Sequence, residues 1–595
     1  MHAPTRRRSI TNVDEPPAPR PANPAPRRHP VRTKPVLALR FPPLTTTLVV
    51  ELLVTASAAA ALLLSSRTVL VLALLLALLP FVVVAGRPIP DWVVTVVRFA
   101  TRSTTSPGVT TEMQLQDGEV AGIHRRQDRL SCVLELRPPR GAVTRLAAAE
   151  SNTDSPIDLN VLGSCLTQHD ISLSGIDVVS HGVRATSGSP ASEVYEQLIG
   201  PLPAVATRTV WVSVTLDVRT NRDAVAARGG GELGGSRTVR IATERVARAL
   251  EARGIHSRIL TRHEIQAAAV HMCRGVPFES FTESWCSTPL PGVTRVGHGL
   301  DVGTLDNRGL DRLWATSTLS SSVILHLEPG PDQRVVMSGS CGFVGRSTPR
   351  VPKLPGLVSM NGRQRESLLT SLPLAIPAYG LGPLRRRVTS SRLGDFRLAT
   401  GGCGQLLGSD ESGRGVALRI HGVGVRTVHV AGELYLAQQL VFRAVATGAR
   451  VLVCTDRVHA WRTMVDSVAT PDRLRIDGGH HRRGPVPHDA STARGRFDLV
   501  VQDYSNPLDA VEPPPTVDGT VLTVVEHPSR APAQDPDVSV VQPGAVGDRI
   551  VVRTPRHRLD LVLVTIAQET AFIGRPRNIG SPGTGTSGSP GDYPG

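Results

Sequence analysis

Only two lysines, Lys34 and Lys353, occur in 595 residues, and neither follows a glycine. A P-loop needs a Gly-Lys step, because its lysine reaches the β- and γ-phosphates. The chain is therefore not a nucleotide-driven motor of that type. Aromatic residues make up 3% of the sequence, which leaves few platforms on which nucleic-acid bases could stack. Seven cysteines are scattered at Cys132, Cys165, Cys273, Cys286, Cys341, Cys403 and Cys454, with no C-x-x-C pair among them. Their spacing supports no zinc site. In a reducing compartment they read as small buried apolar residues.

The formal net charge is +15. Residues 1–43 hold nine Lys or Arg against Asp14 and Glu15, so they supply +7 of that excess. Charge concentrated on one end and otherwise dispersed, with so few aromatics, argues against a nucleic-acid partner. The excess of arginine over lysine reads as compositional bias.

Long apolar runs, by contrast, are present. Residues 44–64 and 68–85 are almost wholly apolar, with Glu51 the one charge inside them and only Ser65-Ser66-Arg67 between them. At 1.5 Å per residue they would span roughly 31 and 27 Å as helices, close to a bilayer core. The sequence thus predicts a two-helix transmembrane hairpin over 44–86. The basic flank places both termini on the cytoplasmic side of an inner membrane. Glu51 reads as a polar contact to a neighbouring helix, since an acid in lipid is costly. Trp92 and Phe99, in the stretch 90–100, suit either a membrane interface or the first turns of a helix outside it.

Beyond the runs, strands and helices alternate. Residues 130–136, 176–180, 209–216 and 255–260 read as strands. A helix is expected from Ser155-Pro156 through His169, others over 190–199 and 236–253. In the last, Val239, Ala242, Val246 and Leu250 share a face. A second block has strands at 428–431, 450–455, 497–502, 520–525 and 559–566, with helices at 432–446 and 458–468. The expected fold class is α/β cytosolic domains following an N-terminal transmembrane hairpin. The expected boundaries are a disordered basic segment 1–43, the hairpin 44–86, a first α/β domain 115–344, a linker-like segment 345–393, a second α/β domain 394–573 and a disordered tail 574–595.

Chemical motifs are weak. His263-Glu264 opens like a zincin, but position 267 is Ala and the next histidine is His271. That spacing cannot place two ligands on one helix face. His480, His481 and His488 fall in a Gly-, Pro- and Arg-rich stretch that reads as a loop. Asp535-Pro536-Asp537 has the D-x-D form with which some sugar transferases hold a metal-bound nucleotide. No catalytic, cofactor-binding or metal-binding residue is assigned from the sequence, and no cofactor is expected.

Several stretches are distinctive. They are 158–185, 195–217 and 224–254 (including AVAARGGGELGGSRTVRIATERVARALEARG), then 402–422 and 428–457. Together with the apolar runs, they resemble EccE, a family of the type VII (ESX) secretion system of mycobacteria. The resemblance implies a non-enzymatic subunit of the inner-membrane secretion complex, supporting protein export beside EccB, EccC and EccD and in contact with the lipid bilayer. It also implies that the ATPase of that complex is EccC. The alternative is a membrane-anchored transferase acting on a nucleotide-activated substrate.

Overall fold

The computed structural model describes residues 83–84, 87–101, 106–114, 120–186, 188–377, 379–477, 497–505, 519–526, 535–544 and 547–574, and Thr55, Ala59 and Gly118. The chain divides into two compact units: residues 1–84 with 88–90, and 85–87 with 91–595. In the first, Thr55 and Ala59 are helical and Val83–Val84 is a two-residue strand.

The described region is a mixed, sheet-rich α/β fold, and no described helix is long and apolar enough to cross a membrane. The expected transmembrane hairpin, and the two-span inner-membrane location with cytoplasmic termini that followed from it, are corrected by this finding. The longest described helix, Gly231–Glu251, has 21 residues. It carries Glu232, Arg237, Arg240, Glu244, Arg245, Arg248 and Glu251, too much charge for lipid. Most of 44–64 and 68–82 lies outside the described residues, as do Glu51, the segment 1–43, the histidine cluster 480–488 and the tail beyond Gly574. One end of the second run is described, and there Val83–Val84 is extended. The β-branched run that follows Pro80 favours that conformation.

The second unit is built on two large sheets. The first has thirteen strands, and every pairing in it is antiparallel. At its centre Ile171–Val183 lies between Thr207–Asp217 and Ser320–Pro329, with Val178 opposite both Val212 and Leu325. Side chains alternate across a strand, and here both faces are covered. Cys132, Leu134, Ile176, Val178, Val212 and Val214 point to one face, under Val239, Ala242 and Val246 of the helix Gly231–Glu251. Val133, Val179 and Trp211 point to the other, under Ile265 and Ala269 of Arg262–Met272 and Leu368 of Gln364–Thr370. The near-continuous apolar character of these strands follows from that double burial.

The helix Gly231–Glu251 begins five residues before the expected start at 236. Its first turn passes so close to its neighbours that a Cβ on Gly234 would sit 2.4 Å from the Val225 carbonyl oxygen, and one on Gly235 2.8 Å from Leu130. Packing of this first turn outweighs the roughly 1 kcal/mol per residue by which glycine disfavours a helix.

The helix expected over 155–169 is largely replaced. Pro156–Asp158 is a strand that pairs with Arg397–Ala399, and only Leu159–Ser164 is helical, capped by Asp158. A long-range pairing partner, invisible in local pattern, takes the first residues.

The second sheet has twelve strands. Leu474–Asp477, Val451–Thr455, Leu499–Asp503, Thr520–Val525, Thr427–Ala431 and Val538–Val541 run parallel in that spatial order. Antiparallel strands continue it through Arg549–Arg553, Arg558–Leu563, Gln405–Ser409 and Gly415–Leu418 to the hairpin Val143–Ala147 and Glu150–Thr153. The helix Leu434–Ala446 is buried along almost its whole length in this half.

The two halves interlock. The hairpin 143–153 completes the second sheet, and Ala191, Val194, Tyr195 and Ile199 of the helix Pro190–Ile199 sit in the second core. Within 345–393, Leu357–Ser359 and Arg386–Val388 are strands of the first sheet, and Gln364–Thr370 is a helix on it.

Candidate functional site

Three places come into question, two of them singled out by the sequence and the second by the fold. The first is the helix Ile89–Ala100. Trp92 and Phe99 are seven residues apart and so share a face. Both rings pack on Trp285, Trp92 stacked at 6.0 Å between centroids and Phe99 edge-on at 5.3 Å. Between them Thr95 is fully buried and its hydroxyl accepts a hydrogen bond from Arg363 Nε at 2.9 Å. Gly362, at φ +71°, lies where a Cβ would meet both Trp285 and Thr95, and its N–H donates to the Trp285 carbonyl at 2.7 Å. Seated by one face, the helix presents the other: Val93, Val94, Val96 and Val97 are 47–57% exposed. At 100° per residue these four valines make one stripe.

The second place is the carboxyl edge of the parallel strands, where open α/β sheets bind ligands. Asp503, at the end of its strand, has no exposed surface. Its carboxylate accepts from Trp461 Nε1 at 2.7 Å, Thr455 Oγ1 at 3.1 Å and Arg457 Nε at 3.3 Å. Arg457 also pairs with Glu526 at the end of the next strand but one. Burial works against the Arg457 charge, but the hydrogen bonds and charges of Asp503 and Glu526 outweigh it and hold its pKa above the ordinary value. The two carboxylates that converge here are thus bound by one arginine. The edge is organised as a structural lock.

The third is Asp535-Pro536-Asp537. Asp537 precedes the strand Val538–Val541, so it lies at the amino edge of the parallel sheet, opposite the crevice. Its Oδ2 accepts from the backbone N–H groups of Arg426 and Thr427 at 2.7 and 3.1 Å. Its own N–H donates to Thr427 Oγ1 at 3.1 Å. The carboxylate ties the starts of two neighbouring strands together.

The remaining motif resolves in the same way. Glu264 of His263-Glu264 is the third residue of a helix whose cap is Thr261. The Thr261 hydroxyl receives the Glu264 N–H at 3.3 Å, and Glu264 Oε2 receives the Thr261 N–H at 2.9 Å. That reciprocal pair is a capping box. His271 packs edge-on against His181 at 6.2 Å. Six of the seven cysteines are buried and Cys286 is exposed. No group of three or more His, Cys, Asp or Glu that could hold a metal occurs among the described residues. The exposed valine face had a signal in the sequence, the run Val93-Val94-Thr95-Val96-Val97. The seat on Trp285 had none, because it lies almost two hundred residues away.

The family model described as putative type VII ESX secretion system translocon, EccE, matches residues 204–318. That segment runs from the central strand Thr207–Asp217 to the helix Asn307–Trp314. The chain is 23% identical over 440 residues to the ESX-1 secretion system protein EccE1 of Mycolicibacterium smegmatis, covering 71% of this chain and 86% of that protein. It is 27% identical over 176 residues to ESX-1 secretion system protein EccE1 of Mycobacterium tuberculosis, covering 29% of this chain and 38% of that protein. Over these residues the chain is similar to the EccE components of type VII secretion.

Proposed function

We propose that this chain is a non-catalytic structural subunit of the type VII (ESX) secretion complex, supporting export by packing beside the EccB, EccC and EccD subunits. The observation that carries the reading is the helix Ile89–Ala100. It is fixed to the body by Trp92, Thr95 and Phe99, and it turns a contiguous valine stripe outward. Exposed apolar patches of this kind mark interaction sites. A helix already rigid when the partner arrives loses little entropy on docking. The transferase alternative gains no support, because Asp537 is committed to the backbone of its own sheet and Asp503 and Glu526 to Arg457.

The test is co-purification. Val93→Asn with Val97→Asn should reduce recovery of the other secretion subunits on the tagged chain and reduce export, while the thermal transition of the purified protein stays in place. Full recovery of the complex with both substitutions would overturn the reading.

A further inference from the structure

The face of the first sheet that carries Val179 and Trp211 is interrupted at Gly175, which has no side chain to fill it. Thr215 lies directly opposite Gly175 on the strand Thr207–Asp217. Asp177 follows two residues on along the glycine's own strand. Glu328 leans in from Ser320–Pro329, its Cγ 3.8 Å from where a Gly175 Cβ would sit. Residues opposite one another across strands, or two apart along one, share a face. The three side chains therefore stand around one gap. A cavity of about 210 Å³ opens over it, closed from above by the segment 375–377, Gly382 and Arg385.

Each of the three keeps an acceptor unspent. Asp177 Oδ1 lies 2.8 Å from His326 Nδ1, and Oδ2 has no partner among the described residues. Glu328 Oε2 pairs with Arg385, which leaves Oε1. Thr215 is 6% exposed and lines the cavity, and its hydroxyl has no hydrogen-bond partner among the described residues. A buried hydroxyl left unpaired costs stability that a ligand can return.

The local field favours positive charge. Burial opposes a charge on His326, yet Asp177, by charge and by hydrogen bond, and Glu328, by charge, hold its pKa above the ordinary value. Arg129, the remaining cation of the lining, is exposed to solvent, where its charge is screened. No three His, Cys, Asp or Glu among the described residues are placed to hold a metal. Three separate acceptors around a gap suit instead the three N–H bonds of an ammonium, a compact charge on a flexible stem. The volume falls below the roughly 300 Å³ at which drug-sized sites begin, so the guest is small.

We propose that this cavity binds a primary alkylammonium group, its N–H bonds directed to Asp177 Oδ2, Glu328 Oε1 and Thr215 Oγ and its stem lying against Ala375 and Pro377. A free amine and the lysine side chain of a partner protein both carry that group. The cavity shares no residue with the valine face, so its ligand and the assembly reading stand or fall independently.

The test uses the full chain, with n-butylamine as the free amine and acetyl-Gly-Lys-Gly-amide as the lysine, read by calorimetry near neutral pH. Saturable binding is expected at a Kd of about 1 mM or below, and the probe bound more tightly names the source. n-Butanol, which lacks the charge, and methylguanidinium, whose donors lie in a plane, should bind about tenfold more weakly or worse. Thr215→Val keeps the shape and removes one acceptor, so binding should weaken by about tenfold, the loss of one hydrogen bond to a charged group. Gly175→Ala removes no polar group but puts a methyl in the gap, and it should weaken binding at least as far. Glu411→Gln, which removes an exposed acid elsewhere, should leave binding unchanged. No saturable binding of either amine at about 10 mM, tenfold above the weak end of specific affinity, would overturn the proposal. So would binding that Thr215→Val and Gly175→Ala both leave intact, or that n-butanol matches.

Discussion

Arg443 and Glu569 face each other in the second core with no solvent between them, 126 residues apart in the chain. Arg443 Nε donates to Glu569 Oε1 at 2.7 Å and Nη2 to Oε2 at 2.8 Å, and the side chains are 0 and 1% exposed. The remaining donors of the guanidinium are met by the carbonyls of Leu406, at 2.7 Å, and Val564, at 2.5 Å. The pair fastens the helix Ala567–Ile573 to the buried helix Leu434–Ala446. Removing one partner of such a pair leaves an uncompensated buried charge and costs about 3–5 kcal/mol. Glu569→Ala should lower the free energy of urea unfolding by that order. The double change Arg443→Met with Glu569→Leu should recover most of it, since an apolar pair of similar volume fits the same place. A loss in Glu569→Ala no greater than the about 0.5 kcal/mol of a surface change would show that the pair does not anchor the helix.

That arginine also marks the limit of what sequence pattern conveys. The apolar positions of 434–446 are legible as one helix face, and the structure has the helix at Leu434–Ala446. Arg443, in the same helix, is also buried, because its partner comes from a segment far along the chain. The helices Pro190–Ile199 and Val458–Val468 and the strand Thr520–Val525 fall on the residues expected, since caps, β-branched runs and apolar spacing are local signals. Strand partners are not local. Nothing in the pattern of 143–153 shows that it closes a sheet made of residues after 400, or that Pro156–Asp158 will pair with Arg397–Ala399. The apolar runs show the converse hazard. Hydropathy over 68–85 matches a spanning helix, whereas Val83–Val84 is extended. At the site, Asp535-Pro536-Asp537 is legible as a motif, but its role as a strand tie depends on which strand lies beside it.

A pH dependence follows from His124. The ring is 2% exposed, with Nε2 2.8 Å from the Pro107 carbonyl and Nδ1 3.0 Å from the Thr110 hydroxyl. Nε2 therefore carries the proton that the carbonyl accepts, and the neutral ring satisfies both partners. Burial is the main force lowering its pKa to about 4, against 6.5 for a free histidine; the Pro107 hydrogen bond opposes it and Arg126 assists. The unfolded chain thus takes up a proton at a higher pH than the folded one. The contribution to stability is complete above 6.5 and is lost as pH falls toward 4, with a slope of about 1.4 kcal/mol per pH unit. Other groups titrate in the same interval, so the difference between wild type and His124→Gln isolates this one. Unfolding free energies measured at several pH values should converge as pH falls. Parallel curves would mean that His124 titrates in the folded protein as it does in the unfolded chain.

The Asp537 geometry separates structure from chemistry. Asp537→Asn keeps one carbonyl oxygen for the amides of Arg426 and Thr427 and should leave export intact. Asp537→Ala leaves two N–H groups at the strand starts without their acceptor, at a cost of about 1–3 kcal/mol. Asp535→Asn should be silent in both respects. Export and thermal stability of the three variants check this. An export defect in Asp537→Asn at normal protein level and normal melting temperature would give the motif a chemical role after all.

The last prediction concerns how the valine face is presented. An apolar stripe serves as a docking surface only if the helix that carries it stays in register with the body, and here that register depends on Trp285. Its ring receives both Trp92 and Phe99. Each such aromatic pair is worth about 0.5–1.5 kcal/mol beyond its buried area. Trp285→Ala removes both pairs and leaves the Arg363–Thr95 hydrogen bond as the main polar fastening of the helix. The sheets lie elsewhere and should keep their stability. Amides of 93–101 should therefore exchange faster with deuterium by about the Boltzmann factor of the lost contacts, while those of the strand Ile171–Val183 stay protected. Recovery of partner subunits should fall in Trp285→Ala although every valine remains. If the amides of 93–101 loosened and recovery were unchanged, the valines would not need a fixed helix, and the assembly contact would have to lie on another surface.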